Sequence, residues 1–372
     1  MRIAVDASML AADGAGISRY LRSLLEAMLA LDDGHEWLLY GRRVPALATG
    51  SSRVGGRQDG LPDAPGRILA LAASLPLWTA RDRPDVFWAP AHRLPLWLPR
   101  DCAGVLTVHD LCWQRAPETM RRSSRALDAL FMPRSIARAD RILAVSQSTA
   151  RDIAAGFPAA AARTVVVHEG LSPLPEPAGA DALAALGLRL PYVLFVGTIE
   201  PRKNLQRLIE AFGAVRGSST APLQLAVVGA AGWGADIAES AHRHGADQVV
   251  VLGRVSDATL ATLYRHALCL AMPSLYEGFG LPLLEAMSFG TPVLASDTSS
   301  MPEVAGPAGH YVDPLSVASI AQGLRKLAGE PGYRDGLAAH AQAQAGRFRW
   351  EQAARDTLEV FAQARQARAA RS

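Results

Sequence analysis

Lysine is nearly missing from this 372-residue chain: Lys203 and Lys326 are the only two among 38 basic residues. The other positive side chains are arginines, a drift in keeping with a chain also rich in Ala, Gly and Pro. Against that drift, a retained lysine marks a place where a compact ammonium serves better than a planar fork. Cysteine is scarce too. Cys102, Cys112 and Cys269 are odd in number and lack metal-ligand spacing, which argues against a disulfide framework or a zinc site and fits a reducing compartment. Long apolar runs are absent, because the stretch Ile68 to Ala80 is broken by Ser74 and Pro76 and is shorter than the ~18 residues a spanning helix needs. Met1 leads directly into apolar Ile3–Val5, so no secretory leader is expected. A net charge of +3 is too mild to call for a nucleic-acid partner.

What is present is alternation. Short β-branched runs separated by helix-like stretches predict an α/β protein with parallel strands and helical crossovers. Strands are expected near Arg2–Asp6, Glu36–Tyr40, Val86–Trp88, Gly104–Val108, Arg141–Val145 and Thr164–His168, then near Tyr192–Val196, Leu225–Val228, Val249–Leu252, Cys269–Met272 and Pro292–Ala295. The cluster Pro173, Pro175 and Pro177 predicts a semi-rigid connector between two domains. Each half then holds enough strands for its own doubly wound sheet, whose ligands gather at the carboxyl ends of the strands, and the cleft between the halves is the expected site. Gly50 to Gly66 has no apolar period and reads as a mobile loop.

Five segments carry candidate chemistry. Tyr276-Glu277-Gly278-Phe279-Gly280-Leu281-Pro282-Leu283-Leu284-Glu285 follows a strand, and Pro282 suits a first helical turn, so the loop offers backbone N–H groups to an anion. Glu277 stands before that helix and Glu285 about one turn inside it. Gly197-Thr198-Ile199-Glu200-Pro201-Arg202-Lys203-Asn204 follows the first strand of the second half, where an Arg fork and a Lys point charge suit phosphate. Asp13-Gly14-Ala15-Gly16 opens the first amphipathic helix and lets backbone approach a phosphate at Gly14 and Gly16. Thr107-Val108-His109-Asp110 ends a buried strand and places His109 and Asp110 where the chain emerges; His92 ends another strand nearby. His168, Glu169 and Gly170 close the last strand of the first half and read as packing. Between Met120 and Arg141 six arginines are set among apolar residues, a basic amphipathic surface suited to an anionic lipid or simply to solvent, with Pro133 expected to break or kink any helix.

The ten-residue string resembles the Glu-x7-Glu signature of the group 1 (family 4) retaining glycosyltransferases, and the likeness extends over most of the chain. It implies the GT-B architecture: two Rossmann-like, doubly wound parallel-sheet domains facing a cleft. On that resemblance residues 1–172 form the acceptor-side domain, 173–190 the linker, 191–348 the nucleotide-sugar domain, and 349–372 a terminal helix that crosses back, with Trp350 as an anchor. It also implies roles. Glu277 contacts sugar hydroxyls, the amides of Gly278, Phe279, Gly280 and Leu281 approach sugar and diphosphate, and Glu285 holds the ribose. Arg202 and Lys203, with Gly197, stabilise the diphosphate, although Thr198 stands where many members carry an arginine. Gly16 and Gly14 meet the donor phosphate, and backbone at Gly253, Arg254 and Val255 reads the base. His109 lies near the transferred sugar, with Asp110 and His92 as acceptor-side candidates.

The expected activity is therefore retaining transfer of a hexose, first of all mannose from GDP-mannose, to a glycan or lipid-linked saccharide in polysaccharide or lipopolysaccharide synthesis. No Asp-x-Asp occurs, so a metal-independent enzyme without cofactor is expected. A cytoplasmic protein, with peripheral contact at the inner face of the plasma membrane, fits these readings. The alternatives are a nucleotide-sugar epimerase of the same fold, and a non-catalytic nucleotide-sugar-binding partner.

Overall fold

The structure is a computed structural model that describes residues 1–11, 16–31, 34–41, 54–58, 67–215, 222–234, 237–244 and 248–371. It divides into two compact units. Unit 1 comprises 1–111, 123–170 and 349–372, and unit 2 comprises 112–122 and 171–348.

The strands of unit 1 are β1 (Arg2–Asp6), β2 (Glu36–Gly41), β3 (Val54–Gln58), β4 (Val86–Ala89), β5 (Ala103–Val108), β6 (Arg141–Ala144) and β7 (Thr164–Val166). They form one parallel sheet in the order β3-β2-β1-β4-β5-β6-β7. Unit 2 has β8 (Tyr192–Val196), β9 (Gln224–Val228), β10 (Val249–Gly253), β11 (Cys269–Met272), β12 (Val293–Ser296) and β13 (Gly309–Val312), parallel in the order β10-β9-β8-β11-β12-β13. In chain order the helices are α1 (Gly16–Ala30), α2 (Arg67–Asp82), α3 (Cys112–Arg115), α4 (Arg122–Arg138), α5 (Gln147–Gly156), α6 (Leu205–Val215), α7 (Ile237–Arg243), α8 (Asp257–His266), α9 (Leu281–Ser288), α10 (Met301–Ala305), α11 (Val317–Gly329), α12 (Pro331–Ala345) and α13 (Trp350–Ala369).

The central strands read as unbroken apolar runs because helices cover both faces; every residue of β5, β9 and β11 is buried. In α6, Leu205, Leu208, Ile209, Phe212 and Val215 fall on one stripe and pack on Val193, Phe195 and Val227. Serine caps fix several helix starts: Ser146, Ser256 and Ser316 accept from the N–H groups of Thr149, Thr259 and Ser319, each such cap stabilising by about 1 kcal/mol. In unit 1, Phe361 of α13 is fully buried with its ring 5.7 Å from that of Trp88, a burial that contributes roughly 1.5–3 kcal/mol.

Each sheet reverses its winding at one place, between β1 and β4 in unit 1 and between β8 and β11 in unit 2. Ligands of such sheets bind outside the carboxyl ends of the strands at that switch. The chain leaves β8 at Gly197 and β11 at Pro273, so both acidic and basic strings of unit 2 emerge together.

Three expectations need correction. The Gly50–Gly66 segment is not a loop throughout, since Val54–Gln58 pair in register with Trp37–Gly41 as the edge strand β3; the remainder lies outside the described residues. Pro133 does not break its helix, and α4 runs through it. A proline inside a helix loses its own amide bond and crowds the carbonyl four residues back, and here the Arg134 guanidinium ties the same turn by donating to the Leu130 carbonyl at 2.6 Å. The last strand of unit 1 stops at Val166, which frees His168, Glu169 and Gly170 from ladder pairing.

Candidate functional site

In unit 2 the basic string is held by backbone. Gly197 N donates to Val228 O at 2.9 Å and Ile199 N to Ala230 O at 3.0 Å. A Cβ on Gly229, whose φ is +147°, would fall on the carbonyl of Gly197, so these two strand ends meet only because glycine stands there. Pro201–Lys203 then form a 3-10 turn that ends on Asn204 in the left-handed region at φ +60°. Asn204 is buried, and its Nδ2 donates to the carbonyls of Pro273 and Pro314 at 2.8 and 2.7 Å. Leu275 N donates to Arg202 O at 2.8 Å. The β8 and β11 exits are thereby clamped side by side.

The clamp brings Arg202, Lys203 and Glu277 into one cluster. Arg202 Nη1 lies 2.6 Å from Glu277 Oε2 and Nη2 2.8 Å from Glu200 Oε1, while Lys203 Nζ lies 2.6 Å from Glu277 Oε1. Two carboxylates thus hold the Arg202 guanidinium. Glu277 is only 5% exposed. Burial alone would raise its carboxyl, but the Arg202 and Lys203 charges outweigh that and hold it below the usual carboxylate range. Its main chain is fixed as well, with Glu277 N donating to Ser299 Oγ at 3.1 Å and Ser300 Oγ to Glu277 O at 3.0 Å and Phe279 O at 2.7 Å. Gly278, Phe279 and Gly280 are buried and Leu281 opens α9 behind Gly280 at φ +113°.

Glu285 lies on the buried side of α9, and Tyr264 donates to its Oε2 at 2.7 Å. Gly253 ends β10 in the left-handed region, with its carbonyl accepting from Gly229 N at 2.8 Å, and it is followed by exposed Arg254 and half-buried Val255.

In unit 1 the switch point carries a histidine pair. His109 is buried and its Nε2 lies 2.8 Å from Pro90 O, a group that can only accept, so this nitrogen carries a proton. Its Nδ1 lies 3.4 Å from Glu169 Oε1, and Tyr20 packs edge-on at 4.6 Å between centroids. His92 adopts φ +64°, accepts from His109 N at 3.4 Å, and sets its ring 5.2 Å from that of His109. Desolvation, then the neighbouring His109, push the His92 imidazole down from its ordinary range. Asp110 is half-buried. Gly16 is exposed at the start of α1, with open space where a Cβ would stand, whereas Gly14 lies outside the described residues. Trp350 packs edge-on to Tyr20, and Gly170 lies so close beneath it that a Cβ would come within 2.6 Å of the indole Cγ.

Several positioning residues escaped the sequence reading. Glu169, expected only to pack, faces His109. Ser299, Ser300 and Tyr264 carry no local signal, because their partners lie more than twenty positions away, whereas Glu200 pairs with Arg202 two residues on. Asn204 had one: a residue tolerant of the left-handed region directly after the basic pair.

Comparison with known proteins identifies the family and the fold. Residues 185–344 match the family model of glycosyl transferases group 1, and residues 14–173 that of glycosyltransferase family 4. The O-antigen chain mannosyltransferase B of Escherichia coli is 37% identical over 46% of this chain and 45% of its own length. The serotype-specific mannosyltransferase WbdA of Escherichia coli is 33% identical over 60% of this chain and 29% of its own. The aligned stretches therefore span less than half of both relatives. Among solved structures, sucrose-phosphate synthase from Thermosynechococcus elongatus superposes with a TM-score of 0.75 at 22% identity, covering 98% of each chain, which assigns the GT-B fold.

Proposed function

Because this chain belongs to the group 1 and family 4 glycosyltransferases, we propose that it transfers a hexose from a nucleoside-diphosphate sugar to a glycan or lipid-linked saccharide in O-antigen or related surface-polysaccharide synthesis. Mannose from GDP-mannose is the first donor to test, on the strength of the two mannosyltransferase relatives. The observation that carries the reading is the Arg202–Lys203–Glu277 cluster at the switch point of unit 2.

In this reading the donor diphosphate takes Arg202 and Lys203 as its counter-charges. The acceptor oxygen bonds to the anomeric carbon as the bond from that carbon to the phosphate oxygen breaks, and the leaving diphosphate receives the acceptor proton. Charge grows on the departing phosphate, and preorganised cations in a water-poor site stabilise that growth most. Glu277 accepts from sugar hydroxyls, Glu285 from the ribose diol, and backbone at Gly253–Val255 from the base. Within unit 1, Gly16 and His109 are the candidates for phosphate and sugar that the family resemblance implies. Attack and departure on one face retain the anomeric configuration. No metal is assigned a step.

The exposed side of α4 supports peripheral contact with an anionic bilayer that presents a lipid-linked acceptor at a cytoplasmic face. Arg125, Arg134 and Arg138 are exposed there beside Leu130, while the single acid of α4, Asp128, is turned to Arg93 at 2.9 Å. Arg138 also donates to Pro95 O at 2.7 Å, which sets the neighbouring loop, with Leu96 and Trp97 exposed, against the same helix. No helix among the described residues is long and apolar enough to cross a membrane.

The test is incubation with GDP-mannose and a panel of UDP-, ADP- and dTDP-sugars, with and without lipid-linked saccharide and with EDTA present, reading product by mass and anomeric configuration by NMR. Donor conversion without acceptor indicates an epimerase, binding without turnover a silent partner, and an inverted product rejects retention.

A further inference from the structure

We propose that Glu277 discriminates the intact sugar nucleotide from the spent nucleoside diphosphate, by occupying the phosphate-binding cations itself whenever no donor is present. This rests on the donor-site reading of unit 2.

The cluster is electrically complete without any ligand. Glu200 and Glu277 offset Arg202 and Lys203, and all four side chains are at most 18% exposed. The Lys203 stem lies over Gly197, where a Cβ would stand 3.5 Å from Cε. An arriving diphosphate adds two or more negative charges. It reaches Lys203 Nζ and Arg202 Nη1 only by taking the place of the Glu277 carboxylate, because like charges in a buried site repel strongly.

The displaced carboxylate then decides which ligand is favoured. Its backbone is pinned by Ser299 and Ser300, so only the side chain turns. A buried carboxylate stripped of its cations is strongly unfavourable unless it accepts hydrogen bonds. A hexose on the diphosphate brings hydroxyl donors to that spot, and a free nucleoside diphosphate brings none. The same displacement is offset for the donor and left uncompensated for the product, so Glu277 admits one and helps expel the other.

Glu277→Gln tests this. The amide keeps the shape and accepts from hydroxyls through its oxygen but no longer competes as an anion. Dissociation constants of GDP, UDP, ADP and dTDP, each alone and as its sugar nucleotide, are measured by calorimetry for wild type and variant. The expected result is that the nucleoside diphosphate recognised by wild type binds the variant about tenfold more tightly, while its sugar nucleotide changes much less. Glu200→Gln, which leaves the Lys203 pair intact, is expected to move both affinities less. Unchanged or weaker diphosphate binding to Glu277→Gln, an equal gain for both ligands, or an equal gain in Glu200→Gln overturns the proposal. If the variant does not fold, the wild type alone still decides, because a free diphosphate that binds as well as its sugar nucleotide also overturns it. Wild type that binds none of the eight ligands instead overturns the donor-site reading.

Discussion

Glu169 Oε1 lies 3.4 Å from His109 Nδ1, with both side chains buried and the opposite ring nitrogen held by the Pro90 carbonyl. The imidazole is thereby fixed in its plane from two sides. Glu169→Ala is expected to lower kcat by roughly 10–100-fold with little change in donor KM, by analogy with the loss of a carboxylate that orients a metal-bound histidine. Glu169→Gln, which keeps a hydrogen-bonding group at Nδ1, is expected to restore part of the loss. Steady-state kinetics on both variants checks this, and equal losses in the two would mean that charge and not orientation matters.

Lys203→Met removes one of the two cations proposed to meet the leaving diphosphate. Transfer is expected to fall by about 10²–10³ in kcat. Glu277 is then left buried with Arg202 alone, so the melting temperature also falls, and circular dichroism reports whether the fold is kept. Near-normal turnover in a folded variant removes Lys203 from the site.

His92 sets a pH dependence of stability. Its folded-state pKa is pushed down by desolvation and then by His109, so the unfolded chain binds the proton first. Stability from this residue is complete above the unfolded value of about 6.5 and declines as pH falls below it, by at most about 1.4 kcal/mol per pH unit. Arg93 adds to the depression and Asp110 opposes it. His92→Asn suits the left-handed backbone and is expected to flatten the decline between pH 6.5 and 5, read from urea midpoints at each pH.

Gly170→Ala drives a methyl into the backbone and indole of Trp350. Neither atom group is the free end of a flexible chain, so the start of α13 has to shift, at a cost of about 1–3 kcal/mol. The measurement is the thermal midpoint, with tryptophan fluorescence reporting the displaced ring.

The α4 face is tested with lipid vesicles. Wild type is expected to cosediment with phosphatidylglycerol vesicles at low salt and to be released as salt rises, because each arginine near an anionic surface contributes about 1 kcal/mol that screening removes. Trp97→Ser and the triple change Arg125, Arg134 and Arg138→Gln should each reduce binding, while transfer to a soluble acceptor is kept. Undiminished sedimentation in both variants rejects this face.

The central strands were legible because a buried parallel strand is a short apolar run bounded by turns, and β1, β8 and β11 lie where that pattern places them. Of the four edge strands, β7 and β10 also lie where expected, but β3 and β13 were not legible. In β3 the sequence Val-Gly-Gly-Arg-Gln has one apolar side chain, and β13 is four residues with two glycine-or-polar positions, so backbone pairing rather than side-chain pattern defines them. The site shows the same division. Glu277 and Lys203 stand out because each sits in a local string after a strand, but the 2.6 Å contact between them joins two loops that only the sheet order brings together. Glu169 was invisible for a related reason, since its partner is sixty positions away and nothing local distinguishes a carboxylate facing histidine from one facing water.

Trp350 and Phe361 fill the interior of unit 1, yet they follow all of unit 2 in the sequence. During synthesis at roughly 5–20 residues per second, the first sheet therefore waits on the order of ten to forty seconds with an apolar trench open where α13 will lie. The unit begun first is completed last, and during that interval the nascent chain presents a surface for chaperones or for wrong partners that the finished molecule never shows.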